Sequence, residues 1–483
     1  MMQRVASIAS EHRRLGQSWR IPDLKLSEGG IMIDHHKLGV SDVAKQIRER
    51  QLSPETLVRS LLSRIDSLDG TLRAWVTIGR EEVLATARLR EQELEAVSSV
   101  GIMHGVPVGL KDIFYTAGMK TTACSRIFAD FVPGYDATSV VKLKEAGAII
   151  VGKAVTTEFA TSDPSPTRNP WNLAHTPGGS SSGSSVAVAV GMVPTALGSQ
   201  TGGSTCRPAA YNGIVGLKPT YGRISRYGVI PVSWSLDTVG ILVRSVDDAA
   251  LMLQAMAGHD PLDPGSSTQP VPDYLAEMEK LDRPPSIGVL KGFFFDRATQ
   301  EVRAHTESVI EKLARAGAAV QELPLPESFS TAHSCQRIVM NVECAAYHQE
   351  FFSRRADEYG PKLRANIETG MLVSGVEYLQ AQRLRREFRR DMVELAKRVD
   401  VLLTPATPEI APRDLNTTGD AAFQSPWTSS GLPTITVPTG LSEAGLPMAI
   451  QLAALPFEEG RLLAAAKWCE ANCGASLWPP DFP

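Results

Sequence analysis

The stretch from His175 to Gly213, HTPGGSSSGSSVAVAVGMVPTALGSQTGGSTCRPAAYNG, carries eight glycines and eleven serines or threonines with almost no charge. A serine in such a run can be a nucleophile if the backbone turns sharply around it and a base lies within reach. Ser204 is the best placed. TALGS (195–199) reads as a buried strand, QTGGS then turns, and a helix begins that tolerates Pro208 in its first turn or so. The N–H groups of Thr201, Gly202, Gly203 and Ser204 could converge at this turn, where glycine permits the geometry and the helix N-terminus adds positive potential. That is the outline of an oxyanion hole. Taken alone, Gly-Gly-Ser favours a structural turn over a nucleophile, because Gly and Ser are ordinary turn residues. A flexible linker has no reason to enclose VAVAVGMVPTALG, and a phosphate loop needs a lysine after its last glycine, where Ser184 and Ser185 stand.

A serine hydroxyl needs a base near neutral pH. His175 precedes a proline-glycine turn and has no obvious carboxylate to orient it. Lys111 closes the apolar strand VPVGLK, where burial would lower its pKa. The shift is essential, because at the unperturbed value only about 0.04% of a lysine is neutral at pH 7. A lysine at a strand end also reads as half of a structural ion pair, here with Asp112. Lys218 in GLKPT is a rival base, for which a structural role is expected before the proline turn.

These residues must be held by an alternation of helices and strands. Ser53 caps a helix with Pro54 first and Leu57, Leu61, Leu62 and Ile65 on one face. DATSVVKLKEAG reads as a helix stopped at Gly147, followed by a strand over 148–151. The alternation continues through 186–240 and returns at DVLLTPATP and PTITVPTG, which argues for an α/β fold on a large, mostly parallel or mixed sheet. Residues 1–34 read as an N-terminal extension and 35–483 as a single domain, with 285–400 as a more helical, more charged peripheral layer. From RLRREFRRD (383–391) onward, Leu384, Phe388, Met392, Leu395 and Val399 fall at helical spacing, so the arginines read as a wet helix face.

The run PGGSSSGSSVAVAVGMVPTALGSQTGGSTCRPAAYNGIVGLKPTYGRIS, with GVPVGLKD before it, NPW at 169–171, and DVLLTPATP and SGLPTITVPTG near the end, resembles the amidase signature family of serine hydrolases over about residues 37–470. The resemblance implies an α/β fold with a large mixed sheet sandwiched by helices, and a Ser-cisSer-Lys triad. The nucleophile would be Ser204, the bridging serine after a cis peptide Ser180, and the base Lys111. Thr201, Gly202, Gly203 and Ser204 would supply the oxyanion hole, and no metal or organic cofactor is implied. Neutral Lys111 would take a proton through Ser180 as Ser204 attacks, and return it to the leaving amine. Three positions depart from the family pattern: Gln200 stands for an aspartate, Cys206 for an arginine that reappears one step later as Arg207, and Ser182 for a glycine. The first two changes suggest that a neutral contact replaces an ion pair across the loop.

The expected activity is hydrolysis of a C–N amide bond of a small molecule through a Ser204 acyl-enzyme, with carbamates (urethanes) and aryl esters as further substrates. The alternative is the glutamine-amidase (A-type) subunit of a tRNA-dependent amidotransferase complex. A non-catalytic binding protein on the same scaffold is disfavoured by the joint presence of Lys111, Ser180 and Ser204. Phe423 and Trp427 are candidate pocket walls, with simple core as their other reading. The net charge of −4 gives no sign of a nucleic-acid partner, and the expected state is a monomer or homodimer without membrane contact. Six cysteines are too sparse for a disulfide framework. With no signal peptide and no apolar run of membrane length, a cytoplasmic location is expected. The nine histidines show no HExxH, and Cys469 and Cys473 lack a second ligand pair, so no metal site is expected.

Overall fold

Parallel neighbours in a sheet need crossover connections, and this chain supplies helices for them. The structure, a computed structural model, describes residues 34–96 and 100–482. In chain order the strands are β1 (Trp75–Ile78), β2 (Pro107–Lys111), β3 (Ile149–Ala154), β4 (Thr195–Gln200), β5 (Val215–Lys218), β6 (Thr238–Val243), β7 (Ser286–Leu290), β8 (Ala319–Leu323), β9 (Val401–Pro405), β10 (Thr434–Leu441) and β11 (Pro447–Ala453). They form one sheet in the order β1-β3-β2-β4-β6-β5-β10-β11-β9-β7-β8. The expected α/β architecture with a large mixed sheet is the one found.

The helix Thr138–Glu145 carries the chain from β2 to β3, and the helix Ser182–Ala189 from β3 to β4. β2 lies between β3 and β4 and parallel to both. Leu110 therefore stands opposite Leu197, and the C-terminal ends of β2 and β4 emerge side by side. β6 runs antiparallel to β4 and β5, and β10 antiparallel to β5 and β11. β7 is parallel to both β9 and β8.

Both faces of the sheet are covered, which is why its central strands read as unbroken apolar runs. Alternate residues go to different cores: Leu197 and Ile241 join the larger one, while Ala196 and Leu242 join a second one with Val186 to Val190. The edge strand β8 is half exposed.

Local expectations are met where capping chemistry is explicit. Ser53 Oγ accepts from the Thr56 N–H at 3.2 Å with Pro54 opening the helix, and Gly147 takes φ +92° where the helix Thr138–Glu145 stops. The basic segment departs from the simple amphipathic picture. It lies in the helix Gly375–Ala396, where Phe388, Met392 and Leu395 are buried but Leu384 is exposed. Arg385 turns inward and donates to Ser235 O at 2.6 Å and Ser429 O at 2.9 Å, because those carbonyls face the helix. The segment 285–400 includes β7 and β8, which close one side of the sheet. Residues 35–483 form one compact unit. The extension expected over 1–34 lies, apart from Asp34, outside the described residues.

Candidate active site

Lys111 is the last residue of β2 and is fully buried. Its Nζ donates to Ser180 Oγ at 2.6 Å and to Ser199 Oγ at 2.8 Å. Burial pulls its pKa down from 10.5 to about 7, opposed in part by Asp237 and Cys124. The parallel register of β2 and β4 explains the second contact, since it brings Ser199 alongside the lysine. Asp112 does not pair with Lys111. Its carboxylate accepts from the N–H and hydroxyl of Thr122 and from the Cys124 N–H.

The Gly179–Ser180 peptide is cis. Its surroundings hold it from three sides: Arg207 Nη2 donates to Gly179 O at 2.8 Å, and Ser180 O accepts from Thr156 Oγ1 at 3.0 Å and the Thr157 N–H at 3.2 Å. The Ser181 N–H donates to Ser204 O at 3.3 Å, tying the two serine loops together. No hydrogen bond among the described residues joins Oγ of Ser180 to Oγ of Ser204.

Ser204 stands in the turn between β4 and the helix Cys206–Asn212, at the wall of a cavity of about 530 Å³. Thr201, Gly202 and Gly203 line the same cavity. Among the described residues, none of the four N–H groups from Thr201 to Ser204 donates to a protein acceptor. The next two do: the N–H groups of Thr205 and Cys206 both reach Gln200 Oε1 at 3.0 Å. Gln200 thus satisfies the start of the helix and leaves the preceding donors free. The carbonyls of the turn are also held, Thr201 O by Gln336 Nε2 at 3.0 Å and Gly202 O by Thr428 Oγ1 at 2.9 Å. Thr201 Oγ1 donates to Asp237 at 2.5 Å. A Cβ on Gly203 would lie 2.8 Å from Gln424 Oε1, so the close approach of that side chain requires glycine.

Gln200 and Arg207 do not meet. Each is held by neutral groups, Gln200 also through Thr428 Oγ1 at 3.2 Å and Arg207 also through Thr418 Oγ1 at 3.1 Å. Lys218 donates to Leu432 O at 2.5 Å and Pro219 O at 3.1 Å, and His175 contacts Ala411 O at 2.6 Å. Neither lines the cavity. Phe423 and Trp427 do not line it either. Both are buried against Phe294, with ring centroids 5.2 and 6.0 Å away, and their segment instead presents Asp420, Ala421 and Ser425 to the cavity. Among the described residues, no group of three or more His, Cys, Asp or Glu side chains could hold a metal ion.

Ser199, Gln336, Thr428 and Asp237 were not identifiable as site residues from the sequence. Ser199 needed the β2–β4 adjacency. Gln336 comes from the long helix Phe329–Arg355, within the segment that reads as peripheral.

The family model Amidase matches residues 56–463. The chain belongs to the amidase signature family. Among curated relatives of this amidase, the A-type component of the glutamyl-tRNA(Gln) amidotransferase of Geobacter sp. (strain M21) is 38% identical over 466 residues, covering 89% of this chain and 96% of that one. Among solved structures, a protein of the vestigial complex connected with the evolutionary origins of an s-triazine catabolic enzyme superposes with a TM-score of 0.86 at 30% identity, covering 91% and 99% of the two chains. The peptide amidase of Stenotrophomonas maltophilia gives 0.82 at 30% identity, covering 92% and 99%. Coarsely, the chain is an amidase-family hydrolase.

The curated relatives correct one expectation. They are components of a multi-subunit amidotransferase, and this overturns the expectation of a monomer or homodimer whose partner is a small-molecule amide or carbamate. As to location, no helix among the described residues is long and apolar enough to cross a membrane.

Proposed function

We propose that Ser204 is the nucleophile of an amide hydrolase whose base is neutral Lys111 acting through Ser180, and that this amidase is the ammonia-releasing component of an amidotransferase-type assembly. The observation that carries the chemistry is the buried Lys111–Ser180 hydrogen bond, with its lysine near pKa 7, beside a run of unused N–H groups. Ser204 Oγ attacks the carboxamide carbon while its proton moves to Ser180 and that of Ser180 to Lys111 Nζ. The N–H groups from Thr201 to Ser204 stabilise the negative charge that develops on the carbonyl oxygen. The proton returns along the same path to the nitrogen, ammonia leaves, and water hydrolyses the Ser204 ester. Kinship with the A-type amidotransferase components supports glutamine as the donor, and the mixed charge of the cavity, with Arg337, Lys362 and Asp420, suits an amino acid.

The test is ammonia release from glutamine by the purified chain, alone and after co-expression with proteins encoded beside it. Release that is stimulated by a co-purifying protein and abolished by Ser204→Ala is expected. Full activity of the chain alone, unchanged by any co-expressed protein, would sink the assembly reading.

A second reading, direct hydrolysis of a bulkier amide, carbamate or aryl ester, is favoured by the apolar wall of Val232, Met340 and Cys344. An anilide and p-nitrophenyl carbamate panel separates the two, because only this reading predicts turnover of the panel exceeding that of glutamine.

A further inference from the structure

Asp237 is a carboxylate with no step of its own in the proton path from Ser204 to Lys111. It immediately precedes β6. Because Gln200 pairs with Thr238 across the antiparallel β4–β6 ladder, Asp237 stands beside Thr201, the first residue of the nucleophile turn. Its two oxygens have separate partners. Oδ2 accepts from the N–H groups of Val232 at 2.8 Å and Ser233 at 3.0 Å, which closes its own turn. Among the described residues, Oδ1 accepts only from Thr201 Oγ1, at 2.5 Å.

Thr201 is thereby held twice. Its hydroxyl goes to Asp237 and its carbonyl accepts from Gln336 Nε2 at 3.0 Å, while its N–H has no protein acceptor among the described residues. A side chain that only closed its own turn would need one oxygen; the second reaches across to the turn that lines the cavity. A charge-assisted hydrogen bond is roughly twice as strong as a neutral one, so a carboxylate restrains Thr201 more firmly than a neutral group would. Restraint matters there, because an oxyanion hole works through donors already in place as charge develops.

We propose that Asp237 is a positioning residue of the reaction, its carboxylate fixing the Thr201 end of the oxyanion turn through the Thr201 hydroxyl. The proposal rests on the amide-hydrolase reading above. Asp237 does not line the cavity and acts through Thr201.

As an anion, Asp237 also acts on Lys111. Burial raises the pKa of Asp237, and its three donors oppose that rise, as does Arg226, itself paired with Asp263 at 2.9 Å. Its negative charge favours the protonated form of Lys111. The other groups around the amine are Ser180, Ser199, the Cys124 thiol, which burial pushes up to about 12, and Asp112, which Thr122 engages within the field of Lys153. On the other side of Asp237, burial and then the Asp237 charge push the Cys344 thiol up to about 12. Neither thiol is charged near neutral pH. A neutral residue at 237 therefore lowers the lysine pKa and moves the midpoint of the pH–kcat/KM profile downward from about 7.

The test measures kcat, KM and this profile for the full chain and its variants, on whichever of glutamine and the anilide and p-nitrophenyl carbamate panel the wild type turns over fastest. Thr201→Val removes the hydroxyl and should lower kcat about tenfold or more, a larger factor than any rise in KM, since a misplaced oxyanion donor acts on the transition state. Thr201→Ser, which keeps the hydroxyl, should recover most of that loss. Asp237→Asn should lower kcat less than Thr201→Val does. Combined with Thr201→Val it should add almost nothing to the kcat loss, because the two groups form one contact. It should still move the pH midpoint downward, which a purely structural role would not do. A Thr201→Val protein with wild-type kcat, or losses that multiply in the double variant, overturns the proposal. So does a midpoint that Asp237→Asn leaves in place, because the side chain would then be no carboxylate. If Asp237→Asn does not fold, the Thr201 pair decides: a loss restored by serine supports the proposal, and a loss shared by both overturns it. The two readings fail separately. A wild type inert toward every compound sinks the hydrolase and the proposal that rests on it, whereas an active wild type with unaltered variants sinks the proposal alone.

Discussion

Lys111 can accept a proton only when neutral, and the end of β2 supplies that state by burying the amine away from water. A neutral amine has two N–H bonds and one lone pair. When the amine loses its proton, one N–H can stay on Ser199 Oγ, and the contact with Ser180 reverses, so that the lone pair accepts from the Ser180 hydroxyl. The reactive lysine form is the deprotonated one, so kcat/KM should rise with pH through about 7 and then level off. Ser199 accepts from the lysine and so favours the charged amine more than the neutral one. Ser199→Ala should therefore move the midpoint of the pH–kcat/KM profile downward while lowering its plateau about tenfold. A midpoint that stays put would show that Ser199 does not bear on the base, and one that rises would show that it favours the neutral amine instead. Of this site, Ser204 and Lys111 were legible as nucleophile and base candidates because strand ends and glycine turns leave marks in the sequence. Ser180 was legible only through the family motif. Ser199 left no mark, since serine is common in this stretch.

At the level of elements, the nucleophile turn depends on how the helix Cys206–Asn212 is started. Its first N–H groups need acceptors, and Gln200, reaching forward from the end of β4, takes two of them. Gln200→Ala would leave two buried donors unpaired, at a cost of about 2–4 kcal/mol in unfolding free energy. Urea unfolding measures this, and a loss below the error of the method would show that water replaces the side chain. The same variant should lower kcat more than it raises KM, because the misplaced N–H groups act on the transition state. The sequence departure at Gln200 thus has a structural account: a neutral amide caps the helix, and Arg207 is released to the Gly179 carbonyl and the cavity.

At the level of the whole molecule, the sheet sets where each segment can contribute. The segment 421–433 supplies both core and cavity, but its aromatic residues went to the core. Phe423 and Trp427 pack against Phe294 under the cavity wall, and the small residues beside them face the substrate space. Trp427→Ala should therefore cost about 3–5 kcal/mol of stability through the void it leaves. For the folded fraction, KM should stay within about threefold of wild type, since a contact absent from the cavity adds no uniform binding. A large rise in KM with little change in unfolding midpoint would place the ring at the substrate instead.

The sequence by itself determined what is local in space. Periodicity, caps and glycine turns encode strands, helices and the Gly-Gly-Ser turn, because these depend on near neighbours in the chain. The family pattern added Ser180. The tertiary structure alone decided that Lys111 meets Ser199, that Gln336 from a distant helix holds the carbonyl of Thr201, and that Arg207 opens on the cavity while Trp427 does not. The first two contacts join residues 88 and 135 positions apart, and only the strand order and the packing of layers on the sheet bring such residues together.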